Sequence, residues 1–365
     1  MGTGDGHAVV GEGGLLGAGA LGAAFAVKDY LEKSGQPGTV IFYGCPGEEG
    51  GAGKAFMARE GMWRELDCAL TWHPSDVNEV VTGTNNSSIQ VLYKFHGVSA
   101  HAAGDPENGR SALDAVELMN TGVQYLREHM TSDCRVHYAI IDAGGVSPNV
   151  VQSEASVLYM VRANKVRDSV KLLARVDKIA QGAALMTETG FDRQFIDGTA
   201  ELVPNYTLEE LLYRIFNEVG LPEYSAEEKT LAEALRKTYD VPAAPGIAAG
   251  FDADIAADVA ERTNGLSDAL CGFIMPEYHS TGFVAGSTDV GDVSWQTPAA
   301  QVHCVTFPFG AAGHSWQNVS CGGTSLGHKG LINAAKIIAC AAIELMNDPE
   351  TLQKARDEFA RRTKA

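Results

Sequence analysis

Hydrophobic positions along this chain change rhythm twice. Over residues 15–33 small and apolar residues recur at helical spacing, and Lys33-Ser34-Gly35 supplies a stop. The run Thr39-Val40-Ile41-Phe42-Tyr43 is continuously β-branched or aromatic and is closed by Gly44-Cys45-Pro46-Gly47, which predicts a strand covered on both faces in a parallel α/β sheet. A helix and a second short strand, Cys68-Ala69-Leu70-Thr71-Trp72, repeat that order. From about Ser87 the strands lengthen and alternate, at 88–96, 135–141, 155–163 and 191–196, with helices at about 111–129 and 166–188. The resulting β-α-β-β-α-β order is that of a ferredoxin-like unit, so an inserted domain is expected at about 85–202, with 1–84 and 203–365 forming the rest. Two capping boxes, Thr207-x-x-Glu210 and Ser225-x-x-Glu228, predict helices that return the chain to its first domain. Residues 241–263 are poorly patterned; Asp252-x-Asp254 lacks the glycine and terminal glutamate of a calcium loop, which predicts a solvated loop. A helix over about 330–347 follows glycine-rich turns near the end.

Length and composition support two domains and narrow the partners. At 365 residues the chain exceeds what one core usually supports, and 45% hydrophobic with 20% charged residues is ordinary soluble usage. A net charge of -18 disfavours nucleic acid and anionic membrane surfaces, leaving a small molecule or peptide as the expected ligand. The seven cysteines are scattered and odd in number, as in a reducing cytoplasm, where the protein is expected to reside. The apolar stretch 15–27 is too short to span a bilayer and follows no basic segment, so a buried helix is expected there.

Three places carry candidate chemistry. Gly47-Glu48-Glu49-Gly50-Gly51 follows a predicted buried strand, at the end where open α/β sheets place ligands. Adjacent carboxylates in a half-buried turn repel unless one binds a cation, which leaves the other to act as a base; fully solvated, they are only an acidic turn. Thr71-Trp72-His73-Pro74 ends the next strand on the same sheet edge, where His73 is either a ligand or a hydrogen-bonded boundary residue. Gly313-His314-Ser315-Trp316 lies among glycines that allow close backbone approach. A carboxylate with two histidines is a common set around catalytic zinc.

These strings, with His101-Ala102-Ala103, Gly109-Arg110-Ser111-Ala112, Gly144-Gly145-Val146-Ser147-Pro148-Asn149, Ser287-Thr288-Asp289-Val290-Gly291-Asp292 and His328-Lys329-Gly330, resemble the aminoacylase/carboxypeptidase-like zinc metallopeptidase (amidohydrolase) family, and within it the branch that cleaves p-aminobenzoyl-glutamate. The resemblance runs from about residue 14 to the C-terminus. It implies a zinc-exopeptidase-like α/β sheet domain with the inserted unit serving as lid and dimerisation domain. It implies one or two divalent metals per chain, zinc or manganese, and hydrolysis of an N-acyl amino acid or dipeptide. Glu48 would be the general base, Glu49, His73 and His314 metal ligands, and His101 the group that reaches the scissile carbonyl oxygen, commonly across a dimer interface. Asn149 and Arg162 would hold the substrate's carboxylate end; from its strand alone, Arg162 reads equally as a surface arginine. The protein is expected to be a homodimer or a heterodimer with a related chain.

The pattern departs from the family near its start. The family's Gly-His-Gly-Cys-Gly-His-Asn motif, anchored at Leu15-Leu16-Gly17, puts two metal ligands on Gly11 and Gly13, which have no donor side chain; His7 or Glu12 are the nearby substitutes. A non-catalytic ligand-binding or assembly protein is therefore the competing reading. Gly17-x-Gly19-x-x-Gly22 satisfies a dinucleotide fingerprint, but no strand leads into it and the next strand ends in Cys45-Pro46 where an acidic residue is expected. A phosphate loop at 50–54 fails because Ala55 replaces Ser/Thr and two carboxylates precede it.

Overall fold

A computed structural model describes residues 6–48, 50–240, 253–263, 266, 268–280, 282–284 and 286–364, and the side chains of all these except 6–13, 283 and 284. The chain opens with one long helix, α1 (Gly6–Ser34), which buries Leu15, Ala23 and Val27. Gly19 serves packing: a Cβ there would stand 2.6 Å from Nε1 of Trp72, and that indole N–H donates to the Leu16 carbonyl at 3.0 Å. The dinucleotide fingerprint thus lies within one helix, with Gly19 packed against Trp72.

Residues 39–43 correct an expectation: they form no strand, and Ile41 and Phe42 are 52% and 40% exposed. An apolar run becomes a strand only beside a hydrogen-bonding neighbour, and among the described residues none pairs with it. Side chains hold it instead, with the Tyr43 ring edge-on to Trp63 at 4.4 Å. The chain continues through α2 (Gly53–Arg59), β1 (Ala69–Ser75), β2 (Glu79–Val80) and β3 (Thr84–Asn85).

Next come β4 (Ser87–His96), α3 (Ala112–Leu126), β5 (Arg135–Asp142), β6 (Glu154–Ala163), α4 (Val166–Thr187) and β7 (Gly190–Thr199). The strands form a four-stranded antiparallel sheet in the order β5-β6-β4-β7, with Val91 opposite Tyr159 and Tyr93 opposite Val157. Strict alternation explains its two faces. Val91, Tyr93, Phe95, Val157, Tyr159 and Val161 are fully buried in one cluster with Val116, Met119 and Val123 of α3 and Leu172, Val176 and Ala180 of α4. The helical partners recur three and four residues apart, and each large side chain so buried stabilises by about 1.5–3 kcal/mol. Ser111 caps α3 by accepting from the Asp114 N–H at 3.1 Å.

The chain returns through α5 (Tyr206–Val219), α6 (Ala226–Arg236), α7 (Ala253–Thr263), β8 (Phe283–Val284), α8 (Val290–Ser294), β9 (Ala299–Val305), α9 (Trp316–Gly322), α10 (Ser325–Asn347) and α11 (Pro349–Arg362). The Ser225–Glu228 capping box is formed. At α5 the cap is Asn205, whose side chain accepts from Leu208 N–H at 3.1 Å; Thr207 instead donates its N–H and hydroxyl to Glu358 at 2.9 and 2.8 Å. Asp254, expected in a loop, lies in the first turn of α7, while Asp252 lies outside the described residues. β1, β9 and β2 form a sheet in that order, β1 parallel to β9. Trp72, Val302 and Cys304 of that sheet pack between α1, α5 and α10. α10 is long and apolar enough to cross a membrane, yet Ala334, Ile337 and Ala341 are fully buried in this core.

One core carboxyl stands out. Glu209 of α5 is 3% exposed, and no hydrogen-bond partner among the described residues reaches its Oε2. Burial, with Glu358 nearby, pushes its pKa up to about 8, against hydrogen bonding from Thr82 and the charge of Arg362. The folded protein therefore holds this proton more tightly than the unfolded chain, so the stabilisation is complete below about pH 4.5 and is lost as pH rises toward 8. Glu209→Gln should be the more stable protein above that window's start, by on the order of 3 kcal/mol at pH 7. Urea unfolding of both proteins from pH 5 to 8 checks this; parallel stability curves would refute it.

Candidate active site

A cleft of about 2380 Å³ opens beside β1 and β9 and gathers residues from distant parts of the chain. Glu48 reaches it from the turn after Pro46, His73 from β1, and His314 from the loop before α9. Gln90 of β4 and Leu158 and Met160 of β6 line it from the four-stranded sheet.

The Glu48 turn is braced on both sides. Gly53 begins α2 so close to the preceding chain that a Cβ would stand 2.1 Å from the Pro46 carbonyl oxygen. The next residue, Lys54, donates its backbone N–H and its Nζ to the two carboxylate oxygens of Asp289 at 2.9 and 2.7 Å. That carboxylate is 0% exposed, so the pair fixes the turn against the start of α8.

His73 is half-buried in the wall of the cleft. Burial, then the neighbouring His303, with smaller contributions from His314 and Lys54, pulls its pKa down to about 4 against a hydrogen bond to the Pro74 carbonyl. Its imidazole is therefore neutral at physiological pH, the form that binds a metal. His314 sits at φ 58°, a left-handed conformation that few side chains adopt without a local reason.

Two further groups in the cleft escape the sequence reading. His303 of β9 is the register partner of His73, their ring centres 5.7 Å apart. Its Nδ1 lies 2.7 Å from Oε1 of Glu79 on β2, and its Nε2 3.2 Å from the Gln301 amide nitrogen. The alternation Gln301-Val302-His303-Cys304 was the available signal. Among the described residues, no three cleft donors lie within 4.8 Å of one another; Glu210, Glu277 and His279 do, but on the exposed surface.

The remaining expected residues lie elsewhere. Glu49 falls outside the described residues, and Gly11, Gly13, His7 and Glu12 lie on α1, with their side chains outside the described ones. His101 and Asn149 are neighbours on exposed loops, joined by Ala102 N–H donating to the Asn149 carbonyl at 3.0 Å, away from the cleft lining. His101 Nδ1 accepts from the N–H groups of Ala103 and Gly104 at 3.2 and 3.0 Å, so its Nε2 carries the hydrogen. Arg162 lays its guanidinium on the Met160 sulfur, at 3.1 and 2.9 Å, and does not line the cleft.

Over residues 84–187 the chain matches the peptidase dimerisation domain. It is 44% identical over 350 residues to one of the subunits of the p-aminobenzoyl-glutamate hydrolase of Escherichia coli (strain K12), a match covering 94% of this chain and 72% of that protein. The chain belongs to that hydrolase's family. Within the family it is also 27% identical over 365 residues to the Xaa-Arg dipeptidase of Mus musculus, covering 98% of this chain and 70% of the relative. A solved aminobenzoyl-glutamate utilization protein from Klebsiella pneumoniae shares the fold with a TM-score of 0.56 at 18% identity, over 90% of this chain and 67% of that one. Members of the family are metal-dependent amidohydrolases and peptidases.

Proposed function

We propose that this chain hydrolyses the amide bond of p-aminobenzoyl-glutamate or a related N-acyl amino acid or dipeptide, with a divalent cation, zinc or manganese, held in the cleft. One observation carries the reading: Glu48, His73 and His314, far apart in sequence, line a single cleft. The donor chemistry fits a cation, because His73 is held neutral by burial and the Glu48 turn is fixed by the Lys54–Asp289 pair. His73, His314 and Glu49 would hold it. Such a metal, when bound, supplies Lewis acidity and makes water a nucleophile near neutral pH. Glu48 then takes a proton from the attacking water and passes it to the leaving amine.

His101 would stabilise the developing oxyanion, and Asn149 and Arg162 the substrate carboxylate. His101 and Asn149 stand on exposed loops outside the cleft, so they act by closure of a ferredoxin-like lid over 85–202 or from a second copy of that unit. A dimer fits the matched dimerisation domain. Its second member is either another copy or a related chain; a further component of the Escherichia coli hydrolase is 27% identical over 208 residues, 55% of this chain and 44% of that protein. Seven unpaired cysteines fit a cytoplasmic site of action.

The test is hydrolysis of p-aminobenzoyl-glutamate by the full chain, stripped of metal and then given zinc or manganese. Metal-restored turnover supports the enzyme. Substrate binding without turnover at any added metal supports the second reading, a ligand-binding or assembly protein, which the glycines at 11 and 13 favour.

A further inference from the structure

His303 has no role in the hydrolysis proposed above, yet its surroundings resemble those that prepare an imidazole to bind a metal. The Glu79 carboxylate can only accept, so His303 donates from Nδ1 across the 2.7 Å contact. On the other side the Gln301 amide nitrogen, a donor, stands 3.2 Å from Nε2. The two neighbours together place the hydrogen on Nδ1 and the lone pair on Nε2. His73 is arranged the same way, because its Nδ1 lies 2.7 Å from the Pro74 carbonyl oxygen, which also can only accept. A metal-binding histidine typically donates its other ring N–H to a carboxylate or a backbone carbonyl. Here neighbouring strands carry one of each.

The spacing agrees. With zinc–nitrogen bonds of about 2.0–2.1 Å, two imidazoles sharing one ion through Nε2 have ring centres roughly 5–6 Å apart. The rings of His73 and His303 are 5.7 Å apart. Parallel pairing of β1 and β9 sets these two positions opposite each other, so the pair rests on the sheet and not on a loop. Glu79 and His303 are 11% and 17% exposed at their side chains, enough cover to keep the carboxylate–imidazole contact from being washed out by water.

We propose that His303, oriented by Glu79, is a ligand of the cleft's divalent cation together with His73. The inference rests on the cation reading of the cleft and adds to it a donor from β9. On arrival of the cation, the Gln301 amide gives up its place at Nε2 and the Glu79–Nδ1 contact stays.

Cobalt(II) tests it, because its visible absorption reports the number and kind of ligands independently of turnover. The metal-free full chain and the variants His303→Asn, Glu79→Gln and His73→Asn are titrated with cobalt(II), and zinc affinity is measured by competition with a chromophoric chelator. Glu79→Gln should weaken binding about 10–100-fold, the usual cost of losing the group behind a ligand. His303→Asn should lose at least as much and change the cobalt spectrum. If His303→Asn binds with wild-type affinity and spectrum while His73→Asn does not, the assignment of His303 is wrong and the cation reading stands. If neither variant differs from wild type, both fall. Circular dichroism establishes that each variant is folded; should His303→Asn not fold, unchanged affinity in Glu79→Gln would overturn the proposal by itself.

Discussion

Glu48→Gln should lower turnover of p-aminobenzoyl-glutamate by about 10²–10⁴-fold while leaving bound metal and unfolding free energy unchanged. The amide has the size and shape of the carboxylate, so the turn after Pro46 keeps its path, but it cannot take a proton from water at neutral pH. Glu48 lines the cleft from a turn whose path Lys54 and Gly53 brace from the start of α2. The measurement pairs steady-state kinetics with metal content. Unimpaired turnover would move the base to another residue. Turnover lost together with metal would make Glu48 a ligand.

Lys54→Met should destabilise the protein by about 3–5 kcal/mol, because it leaves the Asp289 carboxylate buried without its countercharge. The carboxylate is 0% exposed and the lysine side chain 15%. The lysine's backbone N–H also donates to Asp289, so the variant keeps one contact and loses the charged one. Urea unfolding reads the loss as a lower midpoint at constant slope. Adding Asp289→Asn should recover part of it, since the stranded charge goes as well. A loss below about 1 kcal/mol in Lys54→Met, the range of an exposed pair, would show that the contact does not hold the turn.

Alternation made much of the architecture readable from the residues alone. The strands now seen as β4 and β6 place every second residue in one core, and the helices that cover them carry apolar residues three and four apart. Glu48, His73 and His314 were visible because each stands beside a glycine, proline or strand end, where chemistry and backbone signals coincide. His303 was not visible: its alternation spans few residues, and nothing local reveals that β9 lies next to β1. The segment 39–43 failed for a related reason, since its composition states a preference for extended structure and pairing depends on a neighbour the composition does not contain. At Thr207 the capping rule was sound, but Asn205 competes for the same helix start and Glu358, far along the chain, claims the threonine.

The register of β1 on β9 ties assembly of the core to assembly of the site. Val302 and Cys304 point into the interior while Gln301 and His303 line the cleft. A slip of one residue would turn the imidazole inward and offer a valine or a thiol to the opening. Burying Gln301 and His303 in an apolar interior would cost several kcal/mol, so misaligned chains are disfavoured before any ligand is present. The greasy half of this short strand thus acts as a proofreader for the polar half.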